Sequence, residues 1–134
     1  MIGTKRGAMV SSVDSFTVTL KGRGGHAAQP HLTIDPVLLA SQIVFRLQGI
    51  VSREIKPGDF AVITVGSIEA GTVSNIIPDK ATMTIRARSR DNRDKLITGF
   101  KRFVRAECLA SNSPEPLFEP GRPSPELLID EGMT

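Results

Sequence analysis

Tryptophan and tyrosine are absent, and the aromatic side chains that remain are six phenylalanines, 4% of the chain. Proteins that stack bases on an exposed sheet draw on Tyr, Trp and Phe, so a nucleic-acid platform is disfavoured. A single cysteine excludes an internal disulfide framework and any cysteine-rich zinc site. Two histidines, His26 and His31, are too few strong ligands for a closed transition-metal site. No run approaches the ~20 apolar residues that a membrane helix needs. The segment Met1 to Ser12 lacks the apolar stretch of a secretory leader, so the expectation is a cytoplasmic protein with no membrane contact. Charge of one sign is scarce as well. The net value of +3 suits a small anion as well as a polyanion, and decides nothing by itself.

What is present fits one globular domain. The chain has 134 residues, 40% hydrophobic and 23% charged, enough for one core without covalent staples. Ser15 to Lys21 alternates, with Phe16, Val18 and Leu20 on one side, and predicts a half-buried strand. Gly22-Arg23-Gly24-Gly25 ends it, and His26 to His31 continue as loop. Asp35-Pro36 opens a helix, since Asp caps well and Pro suits the first helical position. Val37, Ala40, Ile43, Val44, Leu47, Ile50 and Val51 make its apolar stripe. Phe60 to Ile68 is β-branched and predicts a second strand. The clearest alternation follows: Ala81, Met83, Ile85 and Ala87 inward, and Thr82, Thr84, Arg86 and Arg88 outward. Asp91-Asn92 can cap a second helix with Leu96, Ile97, Phe100, Phe103, Val104 and Cys108 on its buried side. Leu117-Phe118-Glu119 is the candidate fourth strand, and the Pro-rich stretch from Ser113 to Pro125 reads as linker around it. Two one-sided helices and four one-sided strands pack most economically as a ferredoxin-like α+β sandwich, both helices on one face of an antiparallel sheet.

Several motifs carry chemistry or its imitation. The glycine loop lacks both the Gly-Lys-Ser/Thr of a P-loop and the third glycine of the dinucleotide pattern, where Ala27 stands, so it reads as a turn. His26 and His31 form neither a metal pair with a third ligand nor a dyad with a nucleophile. An isolated loop histidine is ordinarily a surface residue, although one held by a glycine-rich loop can donate a hydrogen bond to developing negative charge. Asn75, just before a strand, is ordinarily a turn former, and Arg86 and Arg88 are ordinarily solvated. Together Asn and Arg would also suit a carboxylate, which matches the planar fork of arginine. The mixed charges from Arg86 to Lys95 suit a solvated surface, and Cys108 on its apolar stripe is a structural thiol.

The run Gly22-Arg23-Gly24-Gly25-His26-Ala27-Ala28-Gln29-Pro30-His31, followed by Asp35-Pro36, resembles the inserted domain of two-metal amidohydrolases and peptidases. That family includes aminoacylase, carboxypeptidase G, hippurate hydrolase and the auxin-conjugate hydrolases. The resemblance continues through Leu47 to Glu54, Thr64 to Ile68, Ala70-Gly71 and Asn75-Ile76-Ile77-Pro78-Asp79 to Arg88, and is strongest for the hippurate and auxin-conjugate branch. One departure is that Ile85-Arg86 stand where the branch usually has Gly-Thr. The resemblance implies a lid or dimerisation domain over 13–119. Residues 1–12 and 120–134 would connect to a catalytic domain that carries two divalent ions (zinc, manganese or cobalt). It implies that no metal is bound here, and that in the whole enzyme a metal-bound hydroxide attacks an N-acyl amino acid or related amide. His26 would stabilise the oxyanion in the active site of the partner subunit. Asn75 and Arg88 would hold the substrate carboxylate, and His31 has no assigned chemistry. The implied partner is a second copy, joined through a sheet edge and the first helix, with no nucleic acid. The alternative is a stand-alone ferredoxin-like module that binds RNA or a small anion on its polar sheet face.

Overall fold

The computed structural model describes residues 12–121. Its main sheet has four antiparallel strands: β1 (Ser12–Lys21), β3 (Ala61–Glu69), β5 (Lys80–Ser89) and β6 (Leu117–Pro120), in the order β3-β5-β1-β6. A second, two-stranded sheet pairs β2 (Gly25–His26) with β4 (Ile76–Ile77). Helices α1 (Pro36–Gly49) and α2 (Arg93–Ala110) cover one face of the main sheet. The ferredoxin-like α+β sandwich expected from the residue pattern is the architecture observed.

Strand β5 is central, and its alternation sets the layers. Ala81, Met83, Ile85, Ala87 and Ser89 are buried beneath the helices, and the residues between them face the open side. Val18 pairs with Met83 and Leu20 with Ala81, so the inward residues of β1 and β5 lie directly opposite one another. Phe100 of α2 packs between Phe16 of β1 (ring centroids 5.1 Å) and Phe118 of β6 (5.5 Å, edge to face). This stack attaches the short fourth strand, since a four-residue edge strand holds little by its ladder alone.

Helix α1 starts as the Asp-Pro signal predicts. The Asp35 carboxylate accepts from Val37 N–H at 2.9 Å and Leu38 N–H at 3.3 Å. The apolar stripe is corrected in one place: Leu39 is buried and Val37 is 41% exposed, so the buried face in the first turn runs through Pro36, Leu39 and Ala40. The helix passes into a single π turn, Ile50–Glu54, before Val51, and Ile55 N–H reaches back to Ile50 C=O. Asn92 precedes α2 without capping it; its side-chain amide donates to Asp59 instead. Strand β1 extends three residues earlier than the alternation suggested, because Ser12, Val13 and Asp14 find partners in Ser89, Arg88 and Ala87. The connections assigned to 1–12 and 120–134 lie almost wholly outside the described residues, whereas the Pro-rich stretch is described as far as Gly121 and its Leu117–Pro120 form β6.

Candidate functional site

The segment from Gly22 to His31 is not an open loop. Gly25 and His26 form β2 against Ile77 and Ile76. Arg23 exchanges both backbone hydrogen bonds with Ile34, each at 2.9 Å. Gly22 N–H donates to Asp79 C=O at 2.7 Å, and Gly24 N–H donates to the Asp79 carboxylate at 2.8 Å. The glycines are required by close approach. A Cβ on Gly22 would lie 2.4 Å from Ile34 C=O, and one on Gly24 would lie 2.4 Å from Ile77 C=O.

His26 is exposed at the end of this short ladder. Its Nδ1 accepts a hydrogen bond from Ala28 N–H at 3.0 Å. A neutral imidazole that accepts at Nδ1 carries its proton on Nε2, so the free edge of the ring is a donor. Asn75 lies beside it: its carbonyl accepts from Ala27 N–H at 3.0 Å, and its neighbour Ile76 pairs with His26. An exposed groove of about 670 Å³ adjoins the pair, lined by Ala27, Pro30, Val37, Val73, Ile76 and Pro78 among others. A larger groove, about 840 Å³, lies on the outer helix layer around Phe45 and Phe103 and contains none of the candidate residues.

Arg88 lies elsewhere. It sits half-buried on the open sheet face, its guanidinium 5.9 Å from the centroid of Phe60, and its Nε has no hydrogen-bond partner among the described residues. Lys80 adjoins the Asp79 anchor, and Arg88 is eight residues further along β5, about 26 Å at strand rise. One protomer therefore brings His26 and Asn75 together but keeps Arg88 at the far end of the sheet. Asn75, which precedes β4, and Arg88, near the far end of β5, are thus not brought together by this chain alone. His31 is exposed in a 3₁₀ turn, Pro30–Leu32. Asp79 is the residue that sequence reasoning passed over. It belongs to a motif noted above, but its carboxylate contact spans 55 positions, and local pattern holds no trace of that.

Among the described residues no three His, Cys, Asp or Glu side chains converge as a metal site, so the donors for two divalent ions are not found among them. No helix among them is long and apolar enough to cross a membrane. Cys108 is 2% exposed, and burial pushes its thiol pKa up.

Comparison with known proteins places these features in a family. Hippurate hydrolase of Campylobacter jejuni is 43% identical over 94 residues, 70% of this chain and 24% of that protein. N-acetyldiaminopimelate deacetylase of Bacillus cytotoxicus is 38% identical over 117 residues, 81% of this chain and 31% of that protein. The chain thus spans under a third of the length of these relatives. Among solved structures, a hydantoinase/carbamoylase family amidase from Burkholderia ambifaria shares the fold, with a TM-score of 0.72 at 18% identity over 86% of this chain and 28% of that one. The family model of the peptidase dimerisation domain matches residues 10–112, and the chain belongs to that family.

Proposed function

We propose that this chain is the dimerisation and substrate-recognition domain of a metal-dependent amidohydrolase that cleaves N-acyl amino acids or related amides, with His26 acting in the partner's active site. The observation that carries it is the tethered imidazole: Nδ1 is occupied by Ala28 N–H, which leaves Nε2–H exposed as a fixed donor. A donor aimed at an oxygen that gains negative charge during amide cleavage acts mainly on the transition state. The named relatives support the substrate class, since a hippurate hydrolase and an N-acetyldiaminopimelate deacetylase both cleave an acyl group from an amide nitrogen.

The separation of the site residues supports action between subunits. The rise of about 26 Å from Lys80, beside the Asp79 anchor of the His26 segment, to Arg88 exceeds the length of an N-acyl amino acid, which supports a reading in which His26 and Arg88 of one chain serve different substrates. In a two-fold dimer, Arg88 binds the carboxylate in its own site, and His26 with Asn75 completes the site of the other protomer. Strand β3 supplies an edge for the pairing: it is outermost, and Val62 and Ile68 on it are exposed, as is Val37 of the adjacent helix α1. The start of β1 and the end of β6 lie side by side, with Gly121 N–H donating to Ser15 C=O at 2.7 Å, which supports a domain carried between two parts of a longer protein. The open sheet face carries Thr17, Thr19, Thr82, Thr84, Arg86 and Arg88, while Phe16, Phe100 and Phe118 stack on the helix side. A single ring, Phe60 beside Arg88, reaches that side, too little to stack successive bases as the RNA alternative needs.

The test is complementation in the intact dimeric enzyme. His26→Ala lowers kcat about 100- to 1,000-fold with little change in KM. Arg88→Ala raises KM, most for substrates with a free carboxylate. A heterodimer with His26→Ala in one protomer and Arg88→Ala in the other regains one working site. A heterodimer as poor as either homodimer refutes action between subunits, and a His26→Ala enzyme with unchanged kcat refutes the donor role.

A further inference from the structure

The hydrogen bonds that hold residues 22–29 divide into two kinds. Arg23, Ala27 and Gln29 donate to main-chain oxygens of Ile34, Asn75 and His26, and Gly22 donates to the main-chain oxygen of Asp79. These cannot be removed by substituting a side chain. Ala28 donates to His26 itself. Among the described residues, the side-chain anchor from outside the segment is the Asp79 carboxylate on Gly24 N–H, at 2.8 Å across 55 positions. The amide it holds, Gly24 N–H, lies two residues before the imidazole and directly precedes β2. Asp79 also follows Ile76–Ile77, the two residues that pair with that strand. A two-residue ladder is too short to hold itself, so its register depends on what clamps its ends.

We propose that Asp79 is the positioning residue of His26: its carboxylate locks Gly24, and thereby sets the short ladder that holds the imidazole with Nε2–H outward. This rests on the reading of His26 as a donor, and names the group that keeps it aimed. Asp79 touches neither substrate nor metal in this account. It acts through Gly24 N–H, at a position that admits no side chain, because a Cβ there would lie 2.4 Å from Ile77 C=O. The carboxylate is a stronger acceptor than a neutral oxygen, as a charge-assisted bond requires. His26 then lies at the free end of a clamp with main-chain bonds on one side and one side-chain anchor on the other. A donor whose direction is held in this way is preorganised, and one whose clamp loosens samples orientations that miss the developing charge.

Amide hydrogen exchange on this chain, without substrate or metal, tests the proposal apart from catalysis. In Asp79→Ala the Gly24 and Ala28 amides should exchange about tenfold faster, the loss of roughly one net hydrogen bond. Val18 and Met83, a buried pair in the main sheet, should stay within about twofold as the control for global stability. Asp79→Asn keeps an acceptor oxygen and should hold Ala28 within about threefold of the wild type. Ala28 exchange that is unchanged in Asp79→Ala, or that rises together with Val18 and Met83, overturns the proposal. Should Asp79→Ala fail to fold, Asp79→Leu decides, since it keeps the branched shape and has no acceptor: faster exchange at Gly24 and Ala28 with Val18 and Met83 unchanged supports the anchor, and unchanged Ala28 exchange overturns it. In the intact enzyme, Asp79→Ala lowers kcat about tenfold with KM nearly constant, and Asp79→Asn restores it. Fast exchange at Ala28 with unaltered kcat would fault the catalytic reading of His26 while the anchor stands.

Discussion

Gly24→Ala is the sharpest test of the close packing beneath His26. A Cβ there would sit 2.4 Å from Ile77 C=O, 2.9 Å from the Asp79 carboxylate and 3.1 Å from Pro78 C. Two of these are backbone atoms, so no rotamer change relieves the clash. Restoring an ordinary contact needs about 1 Å of separation between β2 and β4. That displacement stretches the 2.8 Å bond from Gly24 N–H to Asp79 beyond hydrogen-bond range and opens the two-residue ladder with it. Losing two or three bonds at about 1 kcal/mol each gives about 2–3 kcal/mol. Alanine restricts the unfolded chain and returns about 0.5 kcal/mol, for a net loss of about 2 kcal/mol. Gly66→Ala is the matched control. Its Cβ would meet Thr84 Oγ at 3.5 Å, an ordinary contact, so the same residue change should be neutral or slightly stabilising. Urea unfolding by far-ultraviolet circular dichroism suits a chain that has no Trp or Tyr. The expected midpoint falls by about 1 M for Gly24→Ala. A Gly24→Ala midpoint equal to the wild type, or an equal fall for Gly66→Ala, would refute the argument from close approach.

Asp35→Ala removes the acceptor for Val37 N–H and Leu38 N–H and should lower stability by about 1 kcal/mol, seen as a melting point a few degrees lower; an unchanged melting point would show that water replaces the cap at no loss. Cys108 should resist a thiol reagent at neutral pH in the folded chain and react stoichiometrically in urea, whereas fast labelling of the native chain would contradict its burial. Because burial raises the Cys108 pKa, the native state keeps that proton to higher pH than the unfolded state does. Its contribution to stability is complete below the ordinary thiol range and is lost as pH rises through the raised value. The melting point of wild type should therefore fall more steeply above pH 9 than that of Cys108→Ala, and parallel curves would sink the assignment.

Much of this fold was legible in short stretches of sequence, for a definite physical reason. Period-two alternation in β5 settled which residues face the core, because a strand can bury only alternate side chains. Asp35-Pro36 marked the start of α1, because capping uses atoms within three residues. His26 stood out through the glycines before it and the resemblance they carry. Its immediate surroundings were not legible. That Gly25–His26 is a strand depends on Ile76–Ile77, some fifty positions away, and neither pair has a pattern long enough to show periodicity. The tautomer of His26 was equally hidden, since it follows from where Ala28 N–H points. Residue type makes Asn75 and Arg88 a suitable pair for a carboxylate, and only the course of β5 shows that Arg88 lies far along the strand from the Asp79 end, which Asn75 adjoins. Local sequence thus determined the elements and their faces, through interactions between near neighbours. The tertiary structure decided which candidate residues lie near one another in the chain, because that depends on strand register and long-range contacts that no short window contains.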